Sequence, residues 1–358
     1  MAKWLVVAGL LGVLAAFLIY TSAIVGSGPP PELKAPGPPA PAPETSDGST
    51  PVPKLVLTSS QQCTQCHADI FNEWKKDQHA TAWTEDNFRS FTLNYTQLEC
   101  LSCHAPKPML EVGIDKEPQL RDANRADGVD CFTCHMAGGK SHGTLGSNAP
   151  CGGVFKAELK MSQACYHCHS THNLFKEFLA SPQYKQGQTC QDCHMEKIER
   201  AVASGGPLRT TRRHFIHGGG HDTAALKKAL KIDLAVEHGE LIVTVTNSRA
   251  AHGVPGEINN RIVRLEVSVQ QLNGKRIEEG KEVEAWQEMQ AHEAIFQAPP
   301  RLSRDKIPST QIMPGQPRVL KYNLSIPRGR AIATLSYMLE KSMLKSEATP
   351  MGEQTLDF

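Results

Sequence analysis

Aromatic residues are scarce: Phe, Trp and Tyr together make up 6% of the 358 residues. Large rings supply much of the apolar surface of an ordinary core, so the stretch between Cys63 and His194 cannot build one from side chains alone. An excess of charge of either sign is also absent, with 38 Lys and Arg against 37 Asp and Glu for a net charge of +1. Without a basic excess, nucleic acid is excluded as the expected partner. The glycines at 218–220 have no preceding strand and no G-x-G-x-x-G spacing, so they do not form a phosphate-binding loop.

One pentapeptide is present in excess. Cys-x-x-Cys-His occurs five times: Cys63–Cys66–His67, Cys100–Cys103–His104, Cys131–Cys134–His135, Cys165–Cys168–His169 and Cys190–Cys193–His194. Composition alone would give about 0.01 copies. Structural zinc needs four ligands, and five units cannot pair off. Redox dithiols do not require the His. The pattern is that of c-type haem attachment, in which two thiols form thioethers and the adjacent His becomes the proximal iron ligand. Five covalently bound haem c groups are therefore expected. Ten of the eleven cysteines (five motifs of two) are consumed, leaving Cys151 and no disulfide. The porphyrins would supply the missing core, and their propionates would make the holoprotein acidic.

Five of the fifteen histidines are proximal, and a haem that only carries electrons usually has both axial positions filled. The candidate distal ligands are His79, His142, His172, His214, His221 and His252. The stretch His67 to His79 reads as a helix with Ile70, Phe71 and Trp74 on its apolar side. A continuous helix would place the two histidines about 18 Å apart, so His79 should serve a neighbouring haem. His172 lies three residues after His169 and points the same way on a helix, so it too should serve another haem. His142 follows a Gly-Gly loop that can fold over a porphyrin face. His214, His217 and His221 cluster around glycines that allow close backbone approach. His252 sits in the loop Ala251-His-Gly-Val-Pro-Gly256. His238 reads as a solvated turn residue, His167 and His292 as non-ligands, and Cys151 as an inert loop thiol.

These residues carry a resemblance. The first motif with Trp74 and His79-Ala80, the run Gly128-Val-Asp-Cys131 through His135 and His142, the run Cys190-Gln-Asp-Cys-His-Met195 and the His-Phe/Gly-Gly-His cluster resemble one superfamily over about residues 60–225. It contains the multihaem cytochromes related to hydroxylamine oxidoreductase and its tetrahaem partner cytochrome. The resemblance implies mostly bis-histidine haems stacked in parallel and perpendicular pairs, with little regular structure beyond short helices.

The run Trp4–Val25 is uncharged and apolar over 22 residues, the length of a transmembrane helix, with a cleaved signal peptide as the alternative. Residues 27–54 hold ten prolines and read as a semi-rigid polyproline II spacer. From Lys231 onward apolar residues alternate with polar ones, as in Leu241, Val243 and Val245, or Val263, Leu265, Val267 and Val269, which predicts half-buried strands. Turns are expected at Glu237-His-Gly, at Asn273-Gly274 and at Pro327–Arg330. The expected architecture is an N-terminal transmembrane anchor or signal peptide at 1–26, a linker at 27–54, a mainly-α or irregular pentahaem cytochrome c domain at 55–229, and an all-β sandwich-like domain at 230–358.

The expected function is electron transfer by a membrane-tethered pentahaem cytochrome. It would sit at the cell membrane as a single-pass protein, its body periplasmic or otherwise extracytoplasmic. It would relay electrons between a respiratory redox complex and another carrier, and the β region would cover haem surface or dock a partner. The competing expectation is an enzyme with one open haem acting on a small nitrogen or sulfur oxyanion. The absence of a Cys-x-x-Cys-Lys motif and the surplus of distal candidates count against it. A structural subunit of a larger respiratory complex is the third reading.

Overall fold

The computed structural model describes residues 55–146, 149, 151–170, 173–216, 222–256, 261–298, 308–340 and 343–358. The run Trp4–Val25 and the linker 27–54 lie outside them. Among the described residues no helix is long and apolar enough to cross a membrane. The expected single-pass anchor and cell-membrane location are thus corrected: no described element supports them.

Short helices carry the motifs: α1 (Thr64–Trp74), α4 (Leu98–His104), α6 (Cys131–His135), α7 (Gln163–His169) and α10 (Cys190–His194). Between and after them come α2 (Gln78–Thr81), α3 (Asp86–Phe91), α5 (Met109–Val112), α8 (Leu174–Ala180), α9 (Pro182–Lys185) and α11 (Thr223–Ala229). Local chemistry sets their bounds. The Asp130 carboxylate accepts from Thr133 N–H at 2.9 Å, and the Thr133 hydroxyl accepts from Asp130 N–H at 3.3 Å, a capping box that starts α6. Thr189 and Asp192 start α10 in the same way. The continuous helix expected from His67 to His79 is broken twice. His67 itself is non-helical (φ −113°, ψ 40°), α1 ends at Trp74, and Asp77 caps α2.

The expected mainly-α haem region is corrected as well. The longest described helix, α1, has 11 residues, and two small sheets run between the motifs. One joins β1 (Met136–Ala137), β2 (Lys140–Gly143) and β3 (Val154–Phe155); the other pairs β4 (Lys197–Ala201) with β5 (Leu208–Arg212). The physical reason is that a motif helix need only present two thiols and one imidazole, so backbone outside it satisfies its hydrogen bonds in hairpins.

From Leu230 the chain forms two antiparallel sheets. The three-stranded sheet runs β10 (Arg318–Asn323), β7 (Glu240–Asn247), β6 (Leu230–Glu237). The four-stranded one runs β12 (Thr349–Asp357), β11 (Arg330–Met338), β8 (Ile262–Glu278), β9 (Lys281–Gln297). Leu241, Val243 and Val245 of β7 face Val263, Leu265, Val267 and Val269 of β8 and Ala331, Ala333 and Leu335 of β11 in one shared core. Each such buried Val or Leu contributes about 1.5–3 kcal/mol. The β6–β7 turn puts His238 and Gly239 at positive φ, with His238 exposed. Asn273-Gly274 is not a hairpin tip. It is a bulge inside β8, between Leu272↔Trp286 and Lys275↔Glu284, and the strands run on to a turn at Glu279-Gly280.

The loop between β7 and β8 meets the motif region directly. Gly253 N–H donates to Glu177 Oε2 of α8 at 2.8 Å, and Gln183 Nε2 donates to Arg249 O at 3.3 Å.

Candidate functional site

Asp130 ties the first motif to the third. Its buried carboxylate receives Ser60 Oγ–H at 2.6 Å from the turn before Cys63, and Arg121 Nη1 lies 2.8 Å away in an ion pair. Trp74 Nε1–H donates to Val129 O at 2.9 Å. Here the backbone passes so close to His79 that a Cβ at Gly128 (φ +63°) would stand 2.3 Å from His79 O, so only glycine fits. Arg212 does the equivalent service for the fifth motif. It donates to Gln191 O and Met195 O at 2.5 and 2.9 Å and pairs with Asp192 at 2.6 Å, which fixes the end of α10.

The cysteines of different motifs are neighbours. Cys131 donates to Cys63, Cys168 to Cys103 and Cys165 to Cys190, and these contacts push the donor thiols up. Cys190, receiving that bond, is lowered to about 7. Burial pushes Cys134 up to about 12, and Cys134 in turn acts on Cys165 and Cys168. The first motif therefore lies beside the third, the third beside the fourth, and the fourth beside the second and fifth.

Six imidazoles turn Nδ1 toward an oxygen. Nδ1 of His67 meets Val202 O at 2.7 Å, that of His104 meets Ala82 O at 2.6 Å, and that of His135 meets His142 O at 2.8 Å. Among the candidate distal residues, His214 Nδ1 meets Arg212 O at 3.1 Å, His252 Nδ1 meets Gly253 O at 2.9 Å, and His79 Nδ1 meets Asp77 Oδ1 at 2.8 Å. Only an N–H can donate to these oxygens, so each ring keeps its proton on Nδ1 and offers Nε2 as a lone pair, the form in which His binds metals. Burial lowers the pKa of His135 and His252, and burial with the nearby His135 and His67 brings His214 down to about 4. These rings are thus held neutral, as a metal ligand must be.

Three proximal histidines face a candidate distal one. Ring centres are 6.2 Å apart for His169 and His79, 6.1 Å for His135 and His214, and 6.3 Å for His194 and His252. An iron held between two imidazoles needs about 6.2 Å, from metal–nitrogen bonds of about 2.0 Å plus about 1.1 Å to each ring centre. The donor set and the spacing fit bis-histidine haem c. Ring planes cross at 87°, 38° and 11° respectively.

The other candidates divide. Among the described residues no ring pair involves His142. Its carbonyl orients His135, its Nε2 lies 3.3 Å from Ala137 O, and its buried Nδ1 has no hydrogen-bond partner. His172 and His221, with His217, lie outside the described residues. His104 stacks on Phe88 at 3.7 Å between centres. The thiol of Cys151 accepts from Ser141 Oγ at 3.2 Å. Sequence reasoning missed the orienting groups Asp77, Asp130, Glu177 and Arg212. Asp77, two residues before a candidate ligand, and Asp130, immediately before Cys131, left a local signal.

The family described as cytochrome c554 and c-prime matches residues 62–136. Among solved structures, a penta-heme cytochrome c552 from Thermochromatium tepidum is similar, with a TM-score of 0.58 at 19% identity over 84% of this chain and 99% of that one. That likeness shows a shared fold. A superoxide reductase from Nanoarchaeum equitans matches 37% of this chain and 94% of its own at 11% identity, with a TM-score of 0.20 that carries no argument. No curated protein matches the sequence. The family match and the shared fold support a multihaem c-type cytochrome that binds haem c, with electron transfer as its function at that coarse level.

Proposed function

We propose that this chain is a pentahaem cytochrome c that relays electrons between protein partners outside the cytoplasm, one of them a respiratory redox complex, and that it is kin to the hydroxylamine oxidoreductase superfamily. Five covalently bound haem c groups would be held by the ten motif cysteines and by His67, His104, His135, His169 and His194. Haem c supplies one-electron iron chemistry when bound. The chain's own residues hold neutral imidazoles at fixed spacing, exclude water around them and keep the motifs adjacent. The observation that carries the reading is the spacing of about 6.2 Å shared by three histidine pairs drawn from distant parts of the sequence, His79 with His169, His135 with His214 and His194 with His252.

The neighbour relations among the motif cysteines give the relay a shape. Electrons entering at the first motif would pass to the third and fourth, and from the fourth to the second or the fifth. Two exits from one hub suit a relay serving more than one partner. The test is a haem-to-protein ratio combined with a redox titration of the purified holoprotein. Five haems per chain, oxidised and reduced reversibly without a small-molecule substrate, are expected. Fewer haems, or steady turnover of nitrite or hydroxylamine at an open iron, would overturn the reading.

A further inference from the structure

Two carboxylates four residues apart, Glu73 in α1 and Asp77 capping α2, reach both His79 and the distant segment that carries His214. Asp77 is buried, with 3% exposure. Its Oδ1 accepts from His79 N–H at 2.9 Å and lies 2.8 Å from His79 Nδ1, while Oδ2 accepts from Ile216 N–H at 2.8 Å. Glu73 Oε2 accepts from His214 N–H at 2.8 Å, and its Oε1 pairs with Arg200 Nη1 at 2.8 Å. Two of the groups facing Asp77 in these contacts, the N–H groups of His79 and Ile216, are backbone donors.

We propose that Asp77 is a positioning residue shared by two ligand sets. On one side it fixes the tautomer and plane of His79 opposite His169. On the other it anchors Ile216, two residues beyond His214, opposite His135. The proposal rests on the bis-histidine reading of those two pairs.

The chemistry of the two sides differs. His67, His104, His135, His214 and His252 each place Nδ1–H on a backbone carbonyl, whereas His79 places it on a carboxylate. A carboxylate draws the Nδ1 proton more strongly, makes Nε2 a better electron donor and stabilises ferric over ferrous iron. The haem served by His79 and His169 is therefore set to a lower potential than a carbonyl-backed ligand would give it. Because the same carboxylate holds Ile216, a single change at position 77 reaches two haems whose ligands come from four separated stretches of sequence.

The test uses the full holoprotein and two readouts, low-temperature electron paramagnetic resonance and a potentiometric titration. Asp77→Asn keeps an oxygen for His79 but removes the charge and offers N–H where Ile216 needs an acceptor. It should raise the midpoint potential of one haem and alter the low-spin signals of two, leaving the others unchanged. Glu73→Gln should alter only the haem of His135 and His214. If the Asn variant does not accumulate, Asp77→Glu displaces the charge and should give the same paired spectral change. Unchanged signals in a folded variant, or a uniform shift across all haems, overturn the proposal. His79→Ala separates it from the reading beneath. If that variant leaves every haem low-spin, the ligand assignment fails. If it turns one haem high-spin while Asp77→Asn changes nothing, only the role of Asp77 fails.

Discussion

His252 faces His194 with ring centres 6.3 Å apart and planes only 11° from parallel, although one ring belongs to the last Cys-x-x-Cys-His motif and the other to a loop between strands of the β region. That loop is held from several sides. Asn247 Nδ2 donates to His252 O at 2.8 Å, Glu177 receives Gly253 N–H at 2.8 Å, and Gln311 Nε2 donates to Pro255 O at 2.8 Å. A side chain presented this rigidly would need little ordering to bind an iron. The sheets thus act as a mount for one imidazole.

Replacing His252 by Ala should convert one haem to high spin while the sheets stay folded, because no core residue is touched. Absorption and paramagnetic resonance spectra check the first part, and circular dichroism the second. A fully low-spin spectrum in the variant would detach the β region from haem ligation.

The Asp130 carboxylate should be the most costly polar group to remove from the first and third motifs. Asp130→Ala leaves Arg121, whose side chain is 12% exposed, without its counter-charge and strips the α6 cap. Breaking such a buried pair from one side costs about 3–5 kcal/mol. Denaturant unfolding of the holoprotein should show a loss of that order, with the axial ligation of the haems at these two motifs lost first.

Tyr337 gives the β core a dependence on alkaline pH. Its ring is 5% exposed in the core, and burial pushes its phenol up to about 12 from an ordinary 10.0. The native state therefore keeps a proton that the unfolded chain gives up. The associated stability is fully present below pH 10 and is lost as pH rises toward about 12, a change of about 3 kcal/mol. Following Trp286 fluorescence in denaturant between pH 9 and 12 should show this loss. Tyr337→Phe should flatten it.

Much of this was legible in the sequence because the chemistry is local. Cys-x-x-Cys-His states its own ligands, and the period-two runs around Leu241 and Leu265 state which face is buried. His79 and His252 could be singled out as distal candidates from neighbouring residues. What could not be read depends on contacts between distant segments. That His214 faces His135 follows from how Glu73 and Asp77 grip residues 214 and 216, which no spacing encodes. Asn273-Gly274 carries a strong hairpin signal, yet pairing of Lys275–Glu278 with Lys281–Glu284 extends the strands past it, and the dipeptide becomes a bulge. The mainly-α expectation failed because four of the five motif helices stop at their histidines, and the first ends at Trp74 instead of running on to His79.

The most direct test of the central claim is the low-temperature paramagnetic resonance spectrum of the fully oxidised protein with all its haem bound. Near-parallel imidazole planes, as for His194 and His252, split the iron d orbitals and give a rhombic low-spin signal. Crossed planes, as for His79 and His169 at 87°, leave them nearly degenerate and give a strongly anisotropic one. Both signal types should appear together, one rhombic component being lost in His252→Ala and the anisotropic one in His79→Ala. A spectrum dominated by high-spin iron, or one that neither substitution changes, would contradict the assignment of these histidines as paired haem ligands.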